Sequence, residues 1–198
     1  MSSEKHVVFL GDELVAGLGD PRAQGWVGRV MAHTYTAPPI LAMPLVFAHA
    51  TTAQLADTGL KEAQARYSSE ADSRLVIGLG SHDIDAQISL ARSRLYLANL
   101  LDDAARTNFQ TYVVGPPPRY DVPAEALERM NQAFLSVCAR RQVPYVNCFD
   151  PLFAHEQWRT DMYVSRSYTP RQAGYALMAW LVMHTGWHEW LGVTPLDE

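Results

Sequence analysis

A short apolar run, Val7 to Leu10, leads into Gly11-Asp12-Glu13-Leu14-Val15-Ala16-Gly17, so a carboxylate, Glu13, stands just past the end of a buried strand. Two other segments that follow apolar runs carry imidazoles. His49 lies in Phe47–Thr52 and His82 in Gly80–Asp83. A carboxylate can attack a carbonyl, accept a proton or hold a cation, and an imidazole can do the last two near neutral pH. Asp12 flanks Glu13, and Arg166 and Thr169 lie in Trp158–Gly174, ahead of the last long helical pattern.

These residues act together only if one framework gathers the loops. Five short apolar runs qualify as strands: Val7–Leu10, Ile40–Val46, Leu75–Leu79, Thr111–Val114 and Tyr145–Cys148. Each is bounded by turn residues, as buried parallel strands are. Helical spacing separates them. Ile84, Ile88, Ala91, Leu95, Ala98 and Leu101 form one stripe, and Leu127, Met130, Phe134 and Val137 a second. Ala173, Leu177, Trp180 and Leu181 form a third, with Pro170 at the first turn. Strand–helix alternation predicts right-handed crossovers and a parallel sheet covered on both faces. The expected fold is an α/β three-layer sandwich with a five-stranded parallel sheet, as one domain over 1–198. In such a sheet the chemistry collects at the carboxyl ends of the strands. The loops there are Gly11–Gly17, Phe47–Thr52, Gly80–Asp83 and Gly115–Tyr120.

Composition narrows the classes. Of the 198 residues, 48% are hydrophobic and 19% charged, which argues against disorder. The net charge is -5 with no basic cluster, which argues against a nucleic-acid partner. No apolar run is long enough to span a bilayer, and the first residues lack a signal-peptide layout, so a cytoplasmic protein is expected. Cys138, on a predicted helix, and Cys148, on a predicted strand, are then expected to be buried thiols.

In its motifs the chain resembles the SGNH, or GDSL-type, hydrolase family, and within it the small actinobacterial-type esterase and lysophospholipase branch. The likeness rests on Gly11-Asp12-Glu13-Leu14 followed by Gly25-Trp26-Val27-Gly28-Arg29, on Thr51-Thr52-Ala53 and on Gly78-Leu79-Gly80-Ser81-His82-Asp83. It continues through Val114-Gly115-Pro116-Pro117-Pro118, Val143-Pro144-Tyr145-Val146, Trp158-Arg159, Pro170 and Gly174-Tyr175. The resemblance implies the flavodoxin-like SGNH fold. In that family a first-block serine attacks the acyl carbon, a second-block glycine amide and a third-block asparagine bind the oxyanion, and a histidine held by an aspartate is the base. Carried over by position, these roles fall on Glu13, His49, His82, Thr169 and Arg166, and none matches.

The resemblance therefore implies a degenerate hydrolase that lacks Ser-His-Asp esterase activity and binds a small molecule or a protein. Asp12, Glu13, His49, His82 and Arg166 are the ligand-contacting candidates. The alternative is an active hydrolase, esterase-like or metal-assisted, that uses Glu13 with His49 or His82. No cofactor is assigned; the one metal option is a divalent ion on Glu13, His49 and His82, since two imidazoles and a carboxylate form a known metal face. Glu13 as a solvent-reaching carboxylate near the next helix, favoured by its dipole, is the plain expectation. A Glu13–Arg166 salt bridge that plugs the cleft is another. Asp12 and Asp83 are expected to accept backbone N–H bonds in their loops, and Asp161 and His155 are the only nearby acid and histidine that could replace the lost pair. Trp158, Trp180, Trp187 and Trp190 are expected in the core, or the tail Trp187-His188-Glu189-Trp190-Leu191 as an exposed partner surface.

Overall fold

The computed structural model describes residues 4–166 and 168–194. Five strands form one parallel sheet in the order β2-β1-β3-β4-β5: β1 Lys5–Gly11, β2 Leu41–Val46, β3 Asp72–Gly78, β4 Gln110–Val114 and β5 Tyr145–Val146. Between β1 and β2 lies α1, Gly25–Ala32. After β2 a continuous helical stretch comprises α2 Thr52–Gln54, a wider π-type turn Leu55–Gly59 and α3 Leu60–Gln64. Then follow α4 His82–Asp85, α5 Leu90–Arg106, α6 Ala124–Ala139, α7 Phe149–Phe153, α8 Glu156–Ser165, α9 Gln172–Val182 and α10 His188–Leu191. No described helix is long and apolar enough to cross a membrane.

Strand alternation divides the core into two layers. Val7 and Phe9 of β1 point to one face, with Val76 and Tyr112, under Trp26 of α1, Trp158 of α8 and Tyr175 and Met178 of α9. Val8 and Leu10 point to the other, with Leu75, Ile77 and Val113, under Leu97 and Leu100 of α5 and Phe134 of α6. A fully buried side chain of this kind contributes roughly 1.5–3 kcal/mol, so the central strands are fixed from both sides.

The expected fold is present, with corrections in detail. β3 begins at Asp72, which is in register with Lys5 of the neighbouring β1 and takes its ammonium at 2.7 Å. β5 ends at Val146, and Cys148 sits at the start of α7 rather than on a strand. Both cysteines are buried and free. β2 is an edge strand and largely exposed, not buried. The stripe running from Ile84 to Leu101 is not one helical face. Gln87 takes φ +54°, and Ser89 caps a new helix through the Arg92 N–H, so the phase resets. The buried face of α5 is Ser93, Leu97, Leu100, Leu101 and Ala104, and Leu95 is exposed. In α9 the inward face is Gly174, Tyr175, Met178, Ala179 and Val182, which turns Trp180 to solvent. Trp158 and Trp187 are fully buried, and the Trp187 indole stacks on Phe9. Trp187 and Leu191 are therefore core rather than a partner surface.

Candidate functional site

Register sets where the loops emerge. Gly11 pairs with Val46 on one side and Gly78 on the other, Gly78 with Val114, and Val114 with Val146. All five strands therefore end on one rim. Gly11 and Gly78 are glycine for a local reason: a Cβ on either would lie within 2.8 Å of the Val15 methyl, which packs down on the pair. That contact pulls the turn after β1 over the sheet. Asp12 Oδ1 accepts the Leu14 N–H at 2.9 Å, the Asx geometry that shapes the turn. Asp83 accepts both the Thr52 N–H (2.7 Å) and the Thr52 hydroxyl (2.6 Å), which ties the loop after β2 to the loop after β3. Both aspartates thus accept backbone N–H bonds, as expected.

These ties aim three groups at one point. Glu13 is buried, and no helix begins before Gly25 among the described residues, so the solvent-reaching carboxylate expected from the sequence is overturned. Its Oε2 accepts the His49 backbone N–H at 2.7 Å, and its Oε1 meets His82 Nε2 at 2.7 Å. The Tyr168 hydroxyl lies 3.5 Å from His49 Nδ1, on the open side of the pair. Burial pushes the Glu13 pKa up, but the His82 hydrogen bond and the His49 and Glu13 amides outweigh it and hold it at about 2. The carboxylate is ionised and a poor base near neutrality.

His82 is the first residue of α4 and lies between two acids. Its Nδ1 meets Asp85 Oδ2 at 3.1 Å while Nε2 faces Glu13. Burial lowers its pKa, yet the bond to Glu13 and the charges of Glu13 and Asp12 leave it raised. With a carboxylate on each nitrogen, the protonated ring is the favoured form. Arg119 secures Asp85 through Nη1 at 2.7 Å, pairs with Asp121 at 2.7 Å and lies under the Tyr168 ring, 5.2 Å from its centre. Tyr168 rests edge-on to His82 and beside His49.

Asp12 Oδ2 has no hydrogen-bond partner although it is buried. It stands 3.5 Å from His82 Nε2 and so close over Gly80 that a Cβ there would collide with it at 1.8 Å. Burial first, then the Glu13 charge, raises the Asp12 pKa. The space left among Asp12, His82, Pro117, Arg119 and Tyr168 is about 10 Å³, at most one water. Beyond Tyr168 opens a groove of about 1370 Å³, lined by Tyr120, Arg159, Met162, Tyr163 and Arg166.

Of the residues singled out from the sequence, Glu13, His49 and His82 converge, with Asp12 beside them. Arg166 does not join them. It caps the end of α8 in a left-handed conformation, is exposed in the groove and forms no ion pair with Glu13 among the described residues. The expected Glu13–Arg166 plug is thus replaced by a Glu13–His82 pair, with Arg166 exposed at the left-handed end of α8. Thr169 is buried beside Gly19. Asp161 caps the start of α9 through the Arg171 and Gly174 N–H groups, and His155 caps α8, so neither supplies a replacement acid or base. Asp85, Arg119 and Tyr168 were missed. Asp85 had a legible signal, three residues after His82 on a predicted helix start; Arg119 lies in the Gly115–Tyr120 loop expected on the rim and Tyr168 in Trp158–Gly174, but no spacing tied either side chain to the cluster.

His49 has φ +56°, in the region that favours glycine. A side chain there costs about 1–2 kcal/mol, against which glycine's extra unfolded-chain entropy of about 0.5–1 kcal/mol must be set. His49→Gly keeps the amide that Glu13 uses, so its unfolding free energy is expected to be unchanged or up to about 1 kcal/mol higher. Denaturant unfolding checks this, and a clear loss of stability would mean that the ring carries structural weight.

Comparison with known proteins places the fold. The model of the GDSL-like lipase/acylhydrolase family matches residues 9–177. The chain belongs to that family. Solved structures agree on the fold of this GDSL-like protein. The esterase EstA from Pseudoalteromonas sp. superposes with a TM-score of 0.73 at 16% identity, covering 94% of this chain and 98% of that one. The lipase/acylhydrolase from Enterococcus faecalis gives 0.74 at 17% identity, covering 98% and 100%. A member of the lipolytic G-D-S-L family from Veillonella parvula gives 0.73 at 14% identity, covering 91% and 97%. At these identities the likeness shows the GDSL-like fold and not the activity. Among curated proteins none matches.

Proposed function

We propose that this GDSL-like family member has lost serine-based ester hydrolysis and acts by binding a small molecule or a protein partner. One observation carries the reading. The groups at the positions of the family's oxyanion donors, the His49 amide and the His82 ring, hold the Glu13 carboxylate instead, each at 2.7 Å. An anion-binding site occupied by the chain's own anion has no room for a developing oxyanion, and the 10 Å³ beside it admits no ester. Glu13 stands where the family has its serine, and Thr169 and Arg166 stand where it has its base and orienting acid. None can take those roles. The open groove with Arg159, Arg166 and its tyrosines supports the binding role, since it adjoins the filled site through Tyr168.

A serine-directed fluorophosphonate tests the reading. Intact-mass analysis is expected to show no adduct after prolonged incubation. A stoichiometric adduct on any serine of the cleft would contradict the reading.

A further inference from the structure

The same three side chains have a second capacity that does not depend on whether esters are turned over. One ligand atom from each of Glu13, His49 and His82 lies within 4.8 Å of the other two. The Glu13–His82 separation is 2.7 Å and the Glu13–His49 separation 3.7 Å. Donor atoms around a tetrahedral ion with bonds of about 2.0–2.1 Å stand about 3.3 Å apart, between those two values. We propose that Glu13, His49 and His82 form a binding site for a divalent first-row cation of the zinc type.

Three further observations support it. His82 presents Nε2 to the cluster while Nδ1 meets Asp85, whose carboxylate Arg119 fixes in turn. That is the support metal-bound imidazoles use, with the far ring nitrogen held by an acid. Asp12 places a buried carboxylate oxygen without a hydrogen-bond partner 3.5 Å from the same Nε2. A buried carboxyl oxygen with no partner is a donor still unused, and Arg119 is already engaged by Asp85 and Asp121. His49 holds a left-handed backbone where glycine would be cheaper, and this conformation lays its ring over the cluster, with its centre 5.0 Å from that of His82. On binding, the ion takes the place of the His82 Nε2 proton, which leaves to solvent. The mouth of the site stays open on the His49 side, where that ring is largely exposed.

The test is a calorimetric titration of the untagged full-length protein with zinc chloride after chelator treatment, paired with thermal melts. One ion per chain is expected, with the midpoint rising by about 5 °C or more at a hundredfold excess over Kd. His49→Gly keeps every hydrogen bond to Glu13 and the fold, and is expected to weaken zinc at least tenfold. Asp85→Asn is expected to weaken it about tenfold. Absence of heat and of any midpoint shift in the wild type would overturn the site, and so would equal affinity in His49→Gly. Zinc-dependent ester turnover would overturn the proposed function while leaving this site standing. Refusal of zinc by a protein that also ignores esters would remove this site alone.

Discussion

Glu13→Ala is expected to lose about 3 kcal/mol of stability and to recover part of it in acetate. The carboxylate satisfies the His49 amide and the His82 Nε2 at a buried point. Each donor left without an acceptor costs about 1–3 kcal/mol, and the charged ring loses one of its two acids. Some relaxation and water entry reduce the sum. For a chain of this length the midpoint should fall by roughly 6–12 °C. Truncation to alanine also empties a carboxylate-sized space whose donors remain in place. Acetate at ten times its Kd would return about 1.4 kcal/mol. Asp57→Ala removes an acid that pairs with Lys61 in full exposure and serves as the control, with no acetate response expected. A Glu13→Ala protein as stable as the wild type, or indifferent to acetate, would mean that the site is not an occupied anion hole.

The second large effect concerns turnover. Short-chain p-nitrophenyl esters are expected to be hydrolysed by the wild type at the rate of buffer, and Glu13→Ser is expected to stay within about tenfold of that. Nucleophile and base act as a unit in serine hydrolysis, and loss of either costs about 10⁶ in rate. Serine at position 13 would restore only one of them. The Asp85–His82 pair has the form of a base with its orienting acid, but a serine hydroxyl ends two bonds short of the Glu13 oxygen that His82 now meets. Ester turnover in the wild type that vanishes in Glu13→Ala would instead favour the reading in which Glu13 acts with His49 or His82.

The sequence made the framework legible because its signals are local. Apolar runs and turn residues mark the strands one by one, and parallel pairing follows from the helices between them. The stripes failed where a single backbone event reset the phase. Gln87 and the Ser89 cap moved the buried face of α5, and nothing in the spacing of Ile84 and Leu95 announces a positive φ. The site divided in the same way. Glu13, His49 and His82 were found because each follows a strand on the same rim. The partners around them were not, since the loops of Arg119 and Tyr168 were legible but the direction of each side chain is set only in the folded chain. Arg166 was misplaced for a related reason. Position in a motif says which loop a residue is on, not which way a helix end turns it.

The central claim is that the Glu13 carboxylate is an ionised internal ligand of the site. Its hydrogen bonds lower its pKa from the ordinary 4.5 to about 2. A depressed carboxylate contributes stability that is complete above the ordinary value and is lost as pH falls towards the folded one. The most direct measurement is a carbon-13 NMR titration of the Glu13 carboxyl in the folded protein. The expected trace is flat from pH 7 down to pH 4, with protonation only towards about pH 2. A midpoint near 4.5 would contradict the account, because it would describe a carboxylate that the His49 amide and the His82 ring do not hold.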